Sequence, residues 1–302
     1  MMKSLYSGVA GLRVHQTRMD VIGNNIANVN TVGFKASRAM FRDVLYQTLS
    51  KASSPIDELR GGVNPYQIGL GVQVASIDVL NTRAGPMTTD RPMDVYLDGE
   101  GYFKVQGPGL EEDAPYYYTR VGNFSFDEQG YLVDSNGNFV IGESVEAVGV
   151  FEWTSSLPTE IDPEADHEGT RIRIDPEIFM RLTSIGIGLD GSITAYDPQA
   201  ETPEEEIVVI GQIALYKFLN ADGLTQVGNT YYQPSSNSGS AAEIQAGFGG
   251  TGATISSRLE MSNVELAKEF TDMIITQRGF QANSRIITVS DEMLQELVNL
   301  KR

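Results

Sequence analysis

Cysteine is absent from the 302 residues, and histidine occurs only as His15 and His167. Disulfide frameworks, thiolate nucleophiles and multi-Cys/His metal cages are thereby excluded, and a Ser-His-Asp centre loses most of its room. Long apolar runs are missing as well. No stretch of about 18 apolar residues occurs, so no helix is expected to span a membrane. The opening MMKSLYSGVAGLRVHQTR places Arg13, His15, Gln16 and Arg18 where a secretory apolar core would lie, so no cleavable signal is expected. Basic residues are few: 22 Lys plus Arg stand against 40 Asp plus Glu, a net charge of −18. Such a surface repels phosphate backbones, and nucleic acid is not an expected partner. With 41% hydrophobic residues the chain can still bury a sizeable core, and its 302 residues allow about two or three domains.

What is present is strongest at the two ends. Between Lys3 and Asn28, Leu5, Leu12, Met19 and Ile26 recur at every seventh position, with Val9 and Ile22 between them. The last segment mirrors the first: Leu259, Leu266, Met273, Phe280, Ile287 and Leu294 share the same spacing, and Phe270, Ile274 and Leu297 widen the stripe. Ordinary helix amphipathicity has a period nearer 3.6, so strict sevens predict coiled-coil seams on two long helices, the second over about 263–300. Ser262 followed by Glu265 reads as a capping box at its start. The first helix ends in Asn24, Asn25, Asn28, Asn30, Thr31 and Gly33, read as caps and side-chain-to-backbone turns, and Phe34, Phe41, Val44 and Leu45 suggest a short amphipathic stretch after it. Narrow apolar stripes cannot be buried by isolated helices, so they must pair with each other or with further copies.

Between the ends the pattern changes to short strands. Val72–Ile77, Tyr102–Val105, Asn123–Phe126 and Tyr131–Val133 alternate or cluster as strands do, and Asp98-Gly99, Gln129-Gly130, Asn136-Gly137, Asp190-Gly191 and Asp222-Gly223 supply turns. The fold class is therefore α+β: terminal helices at 1–33 and 259–302, a mainly antiparallel β-rich core at 34–144 and 183–258, and a small insertion or outer domain at 145–182.

The polar clusters do not hold together as chemical sites. Asp162, Glu164, Asp166, His167 and Glu168 lack the order of a calcium loop, and Glu201, Glu204, Glu205 and Glu206 have no positioned partner; both read as solvated acidic segments. Gly247, Gly249, Gly250 and Gly252 are followed by no Lys-Ser or Lys-Thr, so they do not form a phosphate loop. No catalytic residue, metal ligand or cofactor is assigned. Head-to-tail association of copies through their end helices makes an open helical polymer when the rotation does not close.

The residues also carry a resemblance. Leu5-Tyr6-Ser7-Gly8-Val9-Ala10-Gly11-Leu12, Gln16-Thr17 and Asp20 through Lys35, with Asn24, Asn25, Asn28, Gly33 and Phe34, resemble the opening of bacterial flagellar rod and hook proteins. Leu259 to Leu266, Met273-Ile274, Gln277 to Gln281, Asn283-Ser284 and Leu297 to Leu300 are similar to that family's C-terminus, and Asp98 to Phe103 and Tyr118 to Phe124 to its β-domain signatures. Within the family, Ile-Gly-Asn-Asn-Ile-Ala-Asn and the Val-Asn-Leu close look most like hook subunits of the compact Gram-positive type. Leu45 to Leu49 and Gln67 to Val72 look like the distal rod, the near rival. The resemblance implies an inner coiled-coil tube of terminal helices and β domains outside it, in a structural homopolymer with no catalysis. In the hook reading this is a universal joint passing torque to the filament. It also implies adjoining rod and hook–filament junction proteins as partners, a type III export apparatus as the route out, and a place in the hook or basal body. Its polymerisation seam would be Leu5, Val9, Leu12, Met19, Ile22, Ile26, Leu266, Phe270, Met273, Phe280, Ile287 and Leu294. A secreted β-rich enzyme or carbohydrate-binding module and an intracellular coiled-coil scaffold are the competing classes.

Overall fold

The computed structural model describes residues 2–55, 61–109, 114–144, 169–198 and 207–300. Among them are the helices α1 (Met2–Ala27), the single turn α2 (Pro176–Phe179) and α3 (Leu266–Leu300); the other regular structure is almost entirely β. The expected α+β class is thus observed. The acidic clusters at 162–168 and 201–206 lie outside the described residues. The chain divides into two compact units. A helical unit comprises Met1–Val29, Ala36–Leu80 and Val264–Arg302, and a β unit comprises Asn30–Lys35 and Asn81–Asn263.

In the helical unit, the asparagines that stop α1 do two different things. Asn28 reaches back, its Nδ2 donating to the Asn24 carbonyl at 3.0 Å, as a C-terminal cap does. Asn25, only 1% exposed, acts at longer range. Its Nδ2 donates to the Ser37 carbonyl at 2.9 Å, and the Ser37 amide donates to Asn25 Oδ1 at 3.0 Å. The side chain therefore pairs with an extended backbone as a neighbouring strand would. Where a second amphipathic stretch was expected, the chain runs as β1 (Ser37–Asp43). Later come β2 (Tyr46–Ser50), β3 (Tyr66–Gly69) and β4 (Val72–Val79). β1 pairs antiparallel with β4 from Ser37↔Val79 to Asp43↔Val72, and β2 pairs with β3 from Tyr46↔Gly69 to Ser50↔Tyr66.

α3 starts at Leu266, with the Glu269 amide donating to the Glu265 carbonyl, and not at Asn263. The residues before it are committed to the β unit: Asn263 Nδ2 donates to Thr82 Oγ1 at 3.0 Å, and its amide donates to the Phe34 carbonyl. Those contacts hold Asn263 out of the helix, so the expected capping box gives way to a start three residues later.

The β unit is built on one large antiparallel sheet. Its path runs Thr183–Ile187, Ser192–Tyr196, Ile207–Ile213, Phe139–Ser144, Tyr102–Gln106, Tyr116–Thr119, Tyr231–Gln233, Thr225–Gly228. Fully buried Val95, Phe103, Phe124, Val140, Ile193 and Ile213 form the main core, to which Ile172 and Ile174 of the 145–182 segment contribute. A second, aromatic cluster joins Tyr102, Tyr118, Tyr216, Phe218 and Tyr232, with Tyr118 and Phe218 edge to face at 4.8 Å. Burial pushes the Tyr118 hydroxyl up to about 12, so the cluster stays neutral at any physiological pH. Among the expected turns, Gly130, Gly137 and Gly191 adopt positive φ. Gly130 (φ 81) is doubly constrained, because a Cβ there would overlap the carbonyl oxygen of Ile174.

Glu260, 0% exposed, lies where the chain enters and leaves this unit. Lys35 Nζ donates to its Oε1 at 2.6 Å, Arg120 Nε to its Oε2 at 3.0 Å and the Ala84 amide to its Oε1 at 3.1 Å. The Gly33 amide donates to the Glu260 carbonyl at 2.8 Å, while Lys35 also reaches the Thr82 carbonyl and Arg120 the carbonyls of Gly99 and Gly101. Burial lowers the Lys35 pKa and the Arg120 charge adds to that, against the pull of Glu260. Removing the carboxylate would strand two buried cations. Glu260→Ala is expected to destabilise the β unit by about 3–5 kcal/mol, as read from urea unfolding of the full chain followed by near-ultraviolet circular dichroism of its tyrosines.

Candidate assembly surface

α1 and α3 pack antiparallel within the helical unit, and glycines and polar residues stand along their contact line. Gly8 lies against Ile287 and Asn283, Gly11 against Asn283, and His15 against Gly279. Further along, Arg18 pairs with Asp272 at 2.8 Å, and Asn25 Nδ2 donates to Glu269 Oε1 at 3.3 Å. These residues repeat in sevens. Gly8, His15 and Ile22 form one line and Gly11, Arg18 and Asn25 the other; Glu269, Thr276, Asn283 and Ser290 form their counterpart on α3. Thr276 and Ser290 are buried, each hydroxyl donating at 2.7 Å to the carbonyl four residues earlier, so neither is left unsatisfied. Small and polar side chains let the helices approach closely. Burial raises the Glu269 carboxyl above its usual range, and the Asn25 amide partly offsets this. Burial, then the Arg18 charge, lowers His15.

The expected seam residues fall beside this line. Ile22 is buried; Leu5, Leu12, Met19, Ile26, Met273, Ile287 and Leu294 are half-buried; Val9, Leu266, Phe270 and Phe280 are exposed. Ile287 approaches Gly8 at the α1–α3 contact line, and buried Ile22 lies on that line one heptad beyond His15. The period was readable from the sequence, but the register of the internal pairing is carried by the glycines. Gly8 and Gly11 three apart, with Gly279 opposite, were the available signal for it.

A broad apolar face remains uncovered. On α3 it comprises Leu266, Phe270 (50% exposed), Ile274, Ile275 and Val289, and on α1 Tyr6 (69%) and Val9. So many large apolar side chains left exposed on one helix pair point to an interaction surface. The β2–β3 hairpin is also exposed along its length and carries Tyr46, Leu49, Tyr66 and Ile68. No cluster of three or more metal-ligating side chains occurs among the described residues, and no helix among them is long and apolar enough to cross a membrane.

Comparison with known proteins agrees with an assembly protein. Residues 5–35 match the family model for flagella basal body rod proteins, 96–195 the D1 domain of the flagellar hook proteins FlgE/F/G, and 255–300 the C-terminal region of the flagellar basal body rod FlgEFG proteins. The chain is 43% identical, over the whole of both chains, to the flagellar basal-body rod protein FlgG of Bacillus subtilis (strain 168). From Borreliella burgdorferi, it is 32% identical to the flagellar basal-body rod protein FlgG and 31% identical to the flagellar hook protein FlgE, again over the whole of both chains. The chain belongs to the FlgE/F/G family of bacterial flagellar rod and hook proteins. It is a structural component of the flagellar axis and not an enzyme.

The close approach of the two helices supplies a test. Leucine is a better helix former than glycine by roughly 0.5–1 kcal/mol, so Gly279→Leu should strengthen an isolated α3. Because its Cβ would lie 2.6 Å from the His15 ring, the expected outcome is instead faster amide hydrogen exchange along α3 in the full-length chain.

Proposed function

We propose that the chain is a subunit of the flagellar rod, polymerising through the apolar faces of its terminal helices. The observation that carries the assembly reading is the set of exposed apolar side chains, Leu266, Phe270, Ile274 and Ile275 among them, on a helix whose inner side already pairs with α1. Leu5, Val9, Leu12, Met19, Ile26, Leu266, Phe270, Met273, Phe280 and Leu294 then meet neighbouring copies, and Ile22 and Ile287 hold the pair that presents them. Adjoining axial proteins continue the structure at either end, and a type III apparatus exports the subunit.

Chain length favours the rod over the hook. The alignment to the rod protein of Bacillus subtilis spans 304 positions, two more than the 302 residues here. The alignment to the hook protein of Borreliella burgdorferi spans 447, so 447 − 302 = 145 of its positions have no counterpart in this chain. The two sequence stretches that resemble the distal rod also pair with each other: Leu45 to Leu49 and Gln67 to Val72 meet in the β2–β3 hairpin. The rod reading therefore replaces the hook as the preferred function.

Electron microscopy of a deletion strain tests it. Basal bodies whose rods stop short, carrying no hook, are expected; complete rods lacking only the hook would restore the hook reading, and intact flagella would refute both. Phe280→Asp separates assembly from folding. Its side chain is 38% exposed in the single chain, so the charge should leave the fold intact. An unpaired charge buried between copies should abolish incorporation into basal bodies and with it motility.

A further inference from the structure

The α1–α3 seam holds one titratable group that neither the pairing of the helices nor the apolar face requires. The His15 ring fills the notch left by Gly279, where a Cβ would lie 2.6 Å from His15 Cε1 and 2.7 Å from Nε2. On another side it meets the edge of Phe41 in β1, ring centroids 6.3 Å apart at 78°. Its Nδ1 is buried and has no hydrogen-bond partner among the described residues. Protonation would therefore create a buried donor with no acceptor, together with a charge.

The neighbouring charges oppose that proton. Arg18, one turn along α1, carries the same sign, and the α3 carboxylate within reach, Asp272, is engaged by Arg18 at 2.8 Å. The Arg18 guanidinium also lies 5.8 Å from the Phe41 ring centroid, and β1 presents that uncharged ring to His15. Arg278, beside Gly279, is exposed to solvent. Glu269, the other half-buried carboxylate of the seam, is bound to Asn25.

We propose that His15 is a pH-sensitive latch on the α1–α3 pair: the neutral ring seats in the Gly279 notch, and protonation unseats it and loosens the helices. The inference stands on the helix pair alone and does not depend on whether the subunit belongs to rod or hook. Burial and Arg18 hold the folded pKa of His15 below the ordinary 6.5. The proton thus binds more tightly to the separated helices, so pairing is at full strength above pH 6.5 and weakens as pH falls through that value towards the folded pKa. Glu269 has the opposite sign. Its folded pKa is raised, so its protonation favours pairing as pH falls towards the carboxylate range.

The chain has only two histidines, which makes the latch assignable. Amide hydrogen exchange of α3 would be measured in the full-length chain at pH 7.5 and 5.5, corrected for intrinsic exchange rates. The opening equilibrium should rise several-fold at the lower pH in the natural chain and in His167→Gln. It should stay flat in His15→Gln, with the tyrosine circular dichroism of the β unit unchanged in all three. The same rise in His15→Gln, or no rise in the natural chain, would overturn the proposal. Should His15→Gln fail to pair, the imidazole proton resonances of the natural chain decide: a His15 pKa below 6.5 supports the latch, and one at or above 6.5 rejects it.

Discussion

A single buried carboxylate closes the β unit. Glu260 neutralises Lys35 and Arg120, receives the Ala84 amide, and through its backbone carbonyl holds Gly33. Residues 225 positions apart are thereby joined at the points where the chain enters and leaves the unit. Closing a loop of that length costs entropy, which these bonds and the apolar core of the unit together offset. Once Gly33 and Glu260 are side by side, the segments leading to α1 and α3 depart from neighbouring points. Replacing the ionic group by an apolar one would leave Lys35 and Arg120 with no counter-charge, so the three residues act as one unit.

The helical unit solves a different problem, which is to pair two helices without consuming the surface needed elsewhere. Glycine, threonine, serine and asparagine stand in the internal contact beside Ile287, His15 and the Arg18–Asp272 pair, with the hydroxyls of Thr276 and Ser290 returned to their own helix. Large apolar side chains such as Phe270 and Ile274 stay exposed. The small side chains in that contact bury little apolar area themselves. Copies stacked on the outer face would add what the internal seam omits, which fits a subunit that becomes fully ordered on assembly.

Much of this was legible in the sequence. The two terminal helices, the antiparallel middle and the family were read from apolar spacing, turn residues and the asparagine-rich motif. What escaped was set by partners distant along the chain. Asn25 looked like a cap because nothing local shows that Ser37 will lie beside it. Ser37–Asp43 looked amphipathic in the helical sense, although its alternating burial is that of a strand paired with β4. Ser262 and Glu265 had the spacing of a capping box, but the bonds of Asn263 to Thr82 and Phe34 delay the helix. The close approach of the helices escaped for a related reason: large apolar residues dominate any periodicity reading, while Gly8, Gly11 and Gly279 stand where α1 and α3 meet. Nothing in the sequence marks Lys35, Arg120 and Glu260 as a set.

The central claim is that the outer face of α3 is covered by neighbouring copies within the rod, and the absence of native cysteine allows a direct measurement. A single cysteine at Phe270, exposed in the free chain, would be treated with a water-soluble maleimide in the secreted chain and in basal bodies from cells lacking the hook protein. The account requires the chain to be present in those hookless basal bodies, with Cys at this position reactive when free and protected when assembled. Absence from them, or equal reactivity in both states, would contradict it.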